Sequence, residues 1–532
     1  MQNSIPGNII ITGFMGTGKT SIGAAVAQRM GRSFVDMDAV IEERAGKSIR
    51  RLFEEEGEVV FRSLEAGLCR ELAEQHRLVI ATGGGALIDP VNRSLLSESG
   101  VVVCLTATPD ELLARVAGGD ERPLLDCADP RSEIERLLRK RQAAYATIPW
   151  QIDTTGRTRE EVVEQVIALS DTRTLHVAHP AGGYDIHIGR GTLPYLGGAL
   201  IAAAIPAGAR VALVSNEVVA PLYAARVREI LQQSGFSPFV CSLPDGEAHK
   251  RLEPVAQLYN QFLAADLDRG GVVLALGGGV TGDMAGFAAA TFMRGVRLVQ
   301  IPTTLLAMTD ASVGAKTGVD LPQGKNLVGA FKQPELVFID LAVLETLPEA
   351  EIRSGLAEVI KHGIIGDPDL FATLSGPLVA GGGWVTPDVL ARSIRVKIDI
   401  VQEDPFEGAG RAVLNLGHTT GHALERMSDY RMRHGEAISI GMVIAARLSE
   451  ALGRAEAGLS KKITEVLANA GLPVRCPNWP SDQICNAMRH DKKRQGRALR
   501  WILPEAIGHV VIADDVPEAL VRSVLVDMGA EA

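Results

Sequence analysis

An apolar run that stops at a glycine-rich turn and restarts as a helical pattern leaves a chain few folds to choose from. Residues 8–12 are such a run. Gly13-Phe14-Met15-Gly16-Thr17-Gly18-Lys19-Thr20 follows directly, and a helical pattern over 20–30 ends at Gly31. The turn fits G-x-x-x-x-G-K-[ST], a phosphate cradle. Glycine lets backbone N–H groups of Gly16, Thr17 and Gly18 converge on phosphate oxygens at the positive end of a helix. Lys19 can reach the β- and γ-phosphates, and the Thr20 hydroxyl can ligate Mg²⁺. Short apolar runs at 33–35, 78–81 and 101–105 alternate with helical patterns. Such alternation specifies a parallel sheet with helices on both faces, a three-layer α/β/α domain binding a nucleotide such as ATP.

The chain is far longer than one such domain. At roughly 150 residues per domain, 532 residues predict three or four. The alternation ends near 170, and His179-Pro180-Ala181-Gly182-Gly183 is rich in turn formers. The expected division is a P-loop domain over 1–172, a linker over 173–183, a second α/β domain over 184–345 and a mostly helical domain over 346–532. The second has strands at 210–215 and 271–276. The third shows long helical patterns at 349–364, 386–403 and 434–452. With a net charge of −10 and no basic run, nucleic acid is not an expected partner. Residues 1–10 lack the basic start of a signal peptide, and no uncharged apolar run reaches the ~18 residues of a membrane span. Six scattered cysteines with no C-x-x-C pair read as reduced thiols, so a cytoplasmic protein with no membrane partner is expected.

A P-loop names a nucleotide but not a reaction. Asp36 and Asp38 stand at the end of the second strand, where parallel sheets carry their ligand crevice. Gly57-Glu58-x-x-Phe61-Arg62-x-x-Glu65, Gly83-Gly84-Gly85, Arg122-Pro123-Leu124-Leu125 and Arg141-x-x-x-Tyr145 follow. By pattern alone, a carboxylate of the Asp36/Asp38 pair could merely cap a helix, and Arg141 could lie on a solvated helix face. The whole set, in this order and spacing, closely resembles shikimate kinase over 5–170. That resemblance implies that Asp38 binds the substrate's ring hydroxyls and orients the attacking one. Arg62 and Arg141 would clamp the carboxylate, Gly84 would lend a backbone N–H, Arg122 would ride a lid over the phosphates, and Asp36 would support the Mg²⁺ shell. Phosphoryl transfer asks for this kind of positioning and cationic stabilisation, and two arginines suit a carboxylate. Gln142 to Ala144 depart from the family, which usually has a proline there.

The second half carries another constellation. An apolar strand over 271–276 runs into Gly277-Gly278-Gly279, a turn through which a backbone can approach a pyrophosphate, although it is not the G-x-G-x-x-G fingerprint. Asn415-Leu416-Gly417-His418 is followed by His422, Glu425 and His434. His418 and His422, four apart, share one face of a helix, so pattern alone names them with a carboxylate as a zinc-type site; satisfied or exposed histidines are the plain alternative. The stretch from Ile301 to Lys316, then Gly324-Lys325-Asn326 to Phe331, is similar to the long signature of 3-dehydroquinate synthase. With Arg294, Glu358, Lys361, Lys397, Arg411, Asn415 and Lys492-Lys493 the resemblance covers 180–525.

It implies a metal, Zn²⁺ or Co²⁺, held by Glu358, His418 and His434, with His422 moved to the substrate and phosphate shell. Lys316, Asn326 and one of Lys492/Lys493 would hold the phosphate, Lys397 and Arg411 the carboxylate, and Lys361 and Asn415 would lie near the substrate. NAD⁺ would lie along Gly278, Gly279, Thr303, Thr304 and Lys325. Asp283 and Asp310 would be at its nicotinamide half, and Asn216, Glu247 and Lys250 toward the adenosine. Arg294 would reach a neighbouring subunit's phosphate site, implying a homodimer. The implied reaction cyclises 3-deoxy-D-arabino-heptulosonate 7-phosphate with loss of phosphate, regenerating NAD⁺. Related cyclases lack a substrate carboxylate, glycerol-type dehydrogenases lack the lysine cluster, and a degenerate nucleotide-binding module would not keep Asp38, Arg62, Arg122 and Arg141.

Overall fold

The computed structural model describes residues 7–116, 129–180, 182–376, 383–404, 410–493 and 499–532, the side chains of 490–493 excepted. It divides into two compact units. One holds Met1–Thr172 with Gly189–Gly208 and Ile230–Phe236, and the other holds Arg173–Ile188, Ala209–Glu229 and Ser237–Ala532.

The first unit is built on β1 (Asn8–Gly13), β2 (Ser33–Asp36), β3 (Leu78–Ala81), β4 (Gly100–Thr106) and β5 (Trp150–Asp153), ordered β2-β3-β1-β4-β5 and all parallel. β1 is central and Ile9, Ile10 and Ile11 are wholly buried, as a strand covered on both faces requires. The chain leaves β1 toward β2 and β3 on one side and returns to β4 and β5 on the other. The C-terminal end of β1 is thus the point where the strand order reverses and ligands bind. The cradle Gly13–Thr20 sits at that point, leading into the helix Lys19–Met30 capped by Gly31 in the left-handed region.

The second unit holds a sheet ordered β6-β7-β14-β11-β10-β8-β9. Its strands are β6 (Arg173–His179), β7 (Gly182–Gly189), β8 (Arg210–Asn216), β9 (Ser237–Leu243), β10 (Val272–Gly277), β11 (Arg297–Pro302) and β14 (Leu336–Asp340). An antiparallel hairpin, β12 (Lys316–Leu321) with β13 (Gly324–Phe331), stands apart from it. The stretch 173–183, expected to be a linker, instead carries β6 and the start of β7, paired antiparallel. Leu175 and Val177 are buried and alternate with more exposed neighbours, the period of a strand with one covered face.

After residue 345 helices dominate, as expected: Glu349–Gly366, Pro387–Glu403, His418–Met427 and His434–Ala451 carry the residues of interest. A hairpin, β15 (Trp501–Ala506) with β16 (His509–Ala513), interrupts them. Among the described residues no helix is long and apolar enough to cross a membrane.

Candidate active sites

In the first unit the cradle loop folds beneath Lys19, whose ammonium donates to the carbonyls of Gly13 at 3.0 Å and Phe14 at 3.1 Å. Thr20 Oγ1 donates to Asp36 Oδ2 at 2.7 Å, and Asp36 Oδ1 accepts from the backbone N–H groups of Asp38 and Ala39. Asp36 therefore does cap the helix Met37–Ala45, and the same carboxylate also ties that helix to the hydroxyl expected at Mg²⁺.

The hub of this site is the turn Gly83-Gly84-Gly85 after β3. A Cβ on Gly83 would fall 2.6 Å from Glu65 Oε1 and 2.7 Å from Asp38 Oδ1, and one on Gly85 would fall 2.5 Å from Arg62 Nη1. Arg141 Nη1 donates to Gly84 O at 3.1 Å, and Tyr145 Oη donates to the same oxygen at 2.6 Å. Bare backbone thus lets two carboxylates and two guanidinium groups meet around one turn. Arg141 is buried over the Phe14 ring, 5.1 Å from its centroid, so it belongs to the site and not to a solvated face. Arg62 pairs with Glu58 at 3.1 Å and with Glu65 more closely. Burial pushes the Asp38 carboxyl above its ordinary value against the pull of Lys19, and burial does the same to Glu65 against Arg62. Glu65 thereby joins the site, and its place three residues after Arg62 on one helix face is the sequence signal for it. Arg122 lies outside the described residues.

In the second unit the residues expected at a dinucleotide gather at the C-terminal ends of neighbouring parallel strands. Asn216 closes β8 and donates to Asp245 Oδ1 at 2.6 Å. Gly278 caps the helix Gly279–Thr291 behind β10, and Thr303, just after β11, donates its N–H to Gly277 O at 3.0 Å, with Thr304 beside it. Lys250, buried, donates to both Asp283 Oδ2 and Asn326 Oδ1 at 2.5 Å. It thereby joins residues expected at the adenosine, nicotinamide and phosphate positions. Burial raises the Asp283 carboxyl to about 6 despite Lys250. Lys325, on the β12–β13 hairpin, pairs with Glu247 at 3.0 Å and lies 4.4 Å over the Tyr430 ring.

Next to this crevice lies a denser cluster. Glu358, fully buried, touches Lys361 and faces His434 Nε2 at 3.3 Å and His418 Nε2 at 3.7 Å. His418, His422 and His434 bring ring nitrogens within 4.8 Å of one another. Two glycines make this convergence possible. A Cβ on Gly435 would lie 2.0 Å from Ser354 O, and one on Gly441 would lie 1.9 Å from Gly417 O. The helix His434–Ala451 therefore approaches backbone to backbone both the helix bearing Glu358 and the turn before His418. Burial would raise Glu358, but Lys361 and the imidazoles hold it well below the usual carboxylate range. Burial lowers His418, with Lys361 adding to it. His434 moves the other way, to about 9, because two carboxylates, Glu358 and Glu425, outweigh its burial.

Asp310 lies on a π-helical turn, Ala307–Ala311, where Lys397 donates to both its carbonyl and its carboxylate. Such turns interrupt regular helix geometry and recur at functional sites. Arg411 Nη2 donates to Gly314 O at 3.2 Å, and its Nη1 is buried with no partner among the described residues. His422, Asn415, Lys316 and Arg294 are exposed, Arg294 with a left-handed backbone at φ 67°. The side chains of Lys492 and Lys493 lie outside the described residues. Glu425, seven residues after His418, stands 3.5 Å from His434 Nδ1.

Residues 15–170 match the family model described as shikimate kinase. Residues 240–354 and 355–494 match those of the 3-dehydroquinate synthase N-terminal and C-terminal parts. A 3-dehydroquinate synthase of Microcystis aeruginosa is 45% identical over 352 residues, spanning 65% of this chain and 96% of its own. Two solved structures share the fold of the same portion. A 2-epi-5-epi-valiolone synthase from Streptomyces hygroscopicus with NAD⁺ and Zn²⁺ bound is 28% identical with a TM-score of 0.58, covering 66% of this chain and 98% of its own. A 2-deoxy-scyllo-inosose synthase with carbaglucose-6-phosphate, NAD⁺ and Co²⁺ is 25% identical with a TM-score of 0.60, covering 67% and 100%.

Proposed function

The chain belongs to the 3-dehydroquinate synthase family with a shikimate kinase sequence ahead of it, and on that footing we propose how its two sites work. It is a bifunctional enzyme of the shikimate route. The first part phosphorylates shikimate from ATP, and the second cyclises 3-deoxy-D-arabino-heptulosonate 7-phosphate to 3-dehydroquinate with release of phosphate. The observation that carries this is the pairing of a glycine turn ringed by Asp38, Arg62 and Arg141 with a separate buried cluster of Glu358, His418 and His434.

In the kinase part Gly16 to Thr20 would hold ATP, with Thr20 and Asp36 around Mg²⁺. Lys19 and Arg122 would balance charge on the transferred phosphoryl group. Arg62 and Arg141 would fix the shikimate carboxylate, and Gly84 would add a backbone contact. Asp38, raised by burial, would orient the attacking hydroxyl and take its proton.

In the synthase part the nitrogen and carboxylate donors of Glu358, His418 and His434 suit Zn²⁺ or Co²⁺. When bound, the metal supplies charge stabilisation at a substrate oxygen, and NAD⁺ supplies reversible hydride acceptance. The chain does the rest. Asn216, Glu247, Lys250, Gly278, Gly279, Asp283, Thr303, Thr304, Asp310 and Lys325 line the dinucleotide crevice. Lys316, Asn326 and Lys492 or Lys493 would hold the phosphate. His422, which the family resemblance moves from the ligand set to the substrate shell, would serve the substrate with Lys361 and Asn415. Arg411, whose buried Nη1 has no partner among the described residues, fits a substrate carboxylate beside Lys397. This favours dehydroquinate synthesis over the cyclisations of the related solved enzymes.

We further propose domains at 1–172, 173–345 and 346–532, a cytoplasmic homodimer through Arg294, and no nucleic-acid or membrane partner. ³¹P NMR of one sample with Mg-ATP, shikimate, the heptulosonate phosphate, NAD⁺ and zinc tests the two reactions. A shikimate-dependent phosphate ester together with heptulosonate-dependent free phosphate is expected. Free phosphate without the ester would sink the kinase reading and leave the synthase.

A further inference from the structure

A histidine binds a metal through one ring nitrogen only if the proton sits on the other, so the partner of that second nitrogen decides whether the ligand is ready. His418 and His434 both turn Nε2 toward the same carboxylate oxygen of Glu358, at 3.7 Å and 3.3 Å. Their Nδ1 atoms meet different acceptors. His418 Nδ1 lies 3.1 Å from the carbonyl of Leu416, whereas His434 Nδ1 lies 3.5 Å from Glu425 Oε1. Leu416 is two residues from His418, so that acceptor comes with the chain. His434 heads a different helix and has to find its acceptor in three dimensions.

Glu425 is suited to the task by place and environment. It lies on the helix His418–Met427 seven residues after His418, hence on the same face, and its side chain is only 9% exposed. The turn after it is fixed by Tyr430 N donating to Glu425 O at 2.8 Å. One short helix thus offers a metal ligand at its first turn and an acceptor for the ring of the opposite ligand two turns later.

We propose that Glu425 is a positioning residue for the metal site: it holds the Nδ1 proton of His434, locks the ring's orientation and leaves Nε2 as the donor. This rests on the reading of Glu358, His418 and His434 as metal ligands. Removal of such an outer partner typically costs 10–100-fold in metal affinity. Glutamine retains an acceptor oxygen and restores the tautomer lock, whereas leucine does not.

Zinc affinity is measured on the full chain by competition with a chromophoric chelator, without substrates, for the unsubstituted chain, Glu425→Leu, Glu425→Gln and Glu358→Ala. A cooperative urea-unfolding transition of the synthase part, followed in the same samples, reports that each variant is folded there. The expected result is Glu425→Leu weakened about 10–100-fold, Glu425→Gln within a few-fold of the unsubstituted chain, and Glu358→Ala weakest. Unchanged affinity in Glu425→Leu, with Glu358→Ala impaired, overturns the positioning role alone. Equal losses in Glu425→Leu and Glu425→Gln overturn it as well, since they would make Glu425 a direct ligand. If Glu358→Ala binds zinc like the unsubstituted chain, the ligand reading itself falls.

Discussion

The two active sites differ in how far they bury their charges. Around the Gly83 turn Arg141 and Glu65 are buried, but the Arg62 side chain that pairs with Glu65 is 37% exposed and its other partner, Glu58, is 65% exposed. In the synthase part Lys250, Lys361, Lys397 and Arg411 are each no more than 4% exposed, and each meets a protein oxygen. A kinase that takes up two charged substrates can leave much of its field to be completed on binding. A site that stabilises successive charge changes on one substrate gains from dipoles and ions fixed beforehand in a dry environment, where they act more strongly. The cost is fragility, because a buried ion that loses its partner cannot turn to water.

That contrast can be broken most sharply at Glu358. Glu358→Ala should abolish cyclisation and lower stability by about 3–5 kcal/mol in urea unfolding, because Lys361 is left buried and unpaired. Glu58→Ala, which removes only the exposed partner of Arg62, should shift stability by no more than about 1 kcal/mol. Equal stability losses in the two variants would erase the distinction. Next in size, Asp38→Asn should slow shikimate phosphorylation about 10²–10⁴-fold while the same chain cyclises its other substrate at the unsubstituted rate. A matching loss in both activities would mean the two sites are coupled.

Asp283 sharpens the comparison through pH. Its folded value of about 6 lies above the ordinary carboxylate value because burial outweighs Lys250, while Glu247 and Asp310 add to the rise. The folded chain therefore holds this proton more tightly than the unfolded chain. The resulting stability is present below about pH 4 and is lost as pH rises through about 6, an effect of about 3 kcal/mol. Asp283→Asn should flatten that dependence. An unchanged pH profile would show that the carboxylate is solvated. The smallest effect belongs to Tyr145→Phe, which removes one neutral hydrogen bond to Gly84 O and should weaken shikimate binding by about 1 kcal/mol.

Much of this was legible in the sequence. The cradle's strand, turn and helix stand where Gly13 to Gly31 placed them, because glycine and hydrophobic period act locally. The long helices start and stop within two residues of the expected bounds, as at Pro387–Glu403, where Thr386 caps the N-terminus. Strand β6 was missed because His179-Pro180 and Gly182-Gly183 look like punctuation, whereas His179 pairs with Gly182 at the closed end of a hairpin. The hairpin β15–β16 was hidden within a helical stretch, since two short strands that pair only with each other leave a weak periodic signal.

By itself the sequence determined the identity of the two enzymes and the types of residue each reaction needs, because spacing along one strand, turn or helix survives in the linear text. Only the tertiary structure decided who meets whom. Asp36 both caps a helix and reaches Thr20, Arg141 is buried and not solvated, and Lys250 draws together Asp283 and Asn326. Glu425 faces His434 across two helices that Gly441 lets approach. Such contacts join residues tens of positions apart, and they depend on how closely two backbones can pack, which no local pattern of residue types encodes.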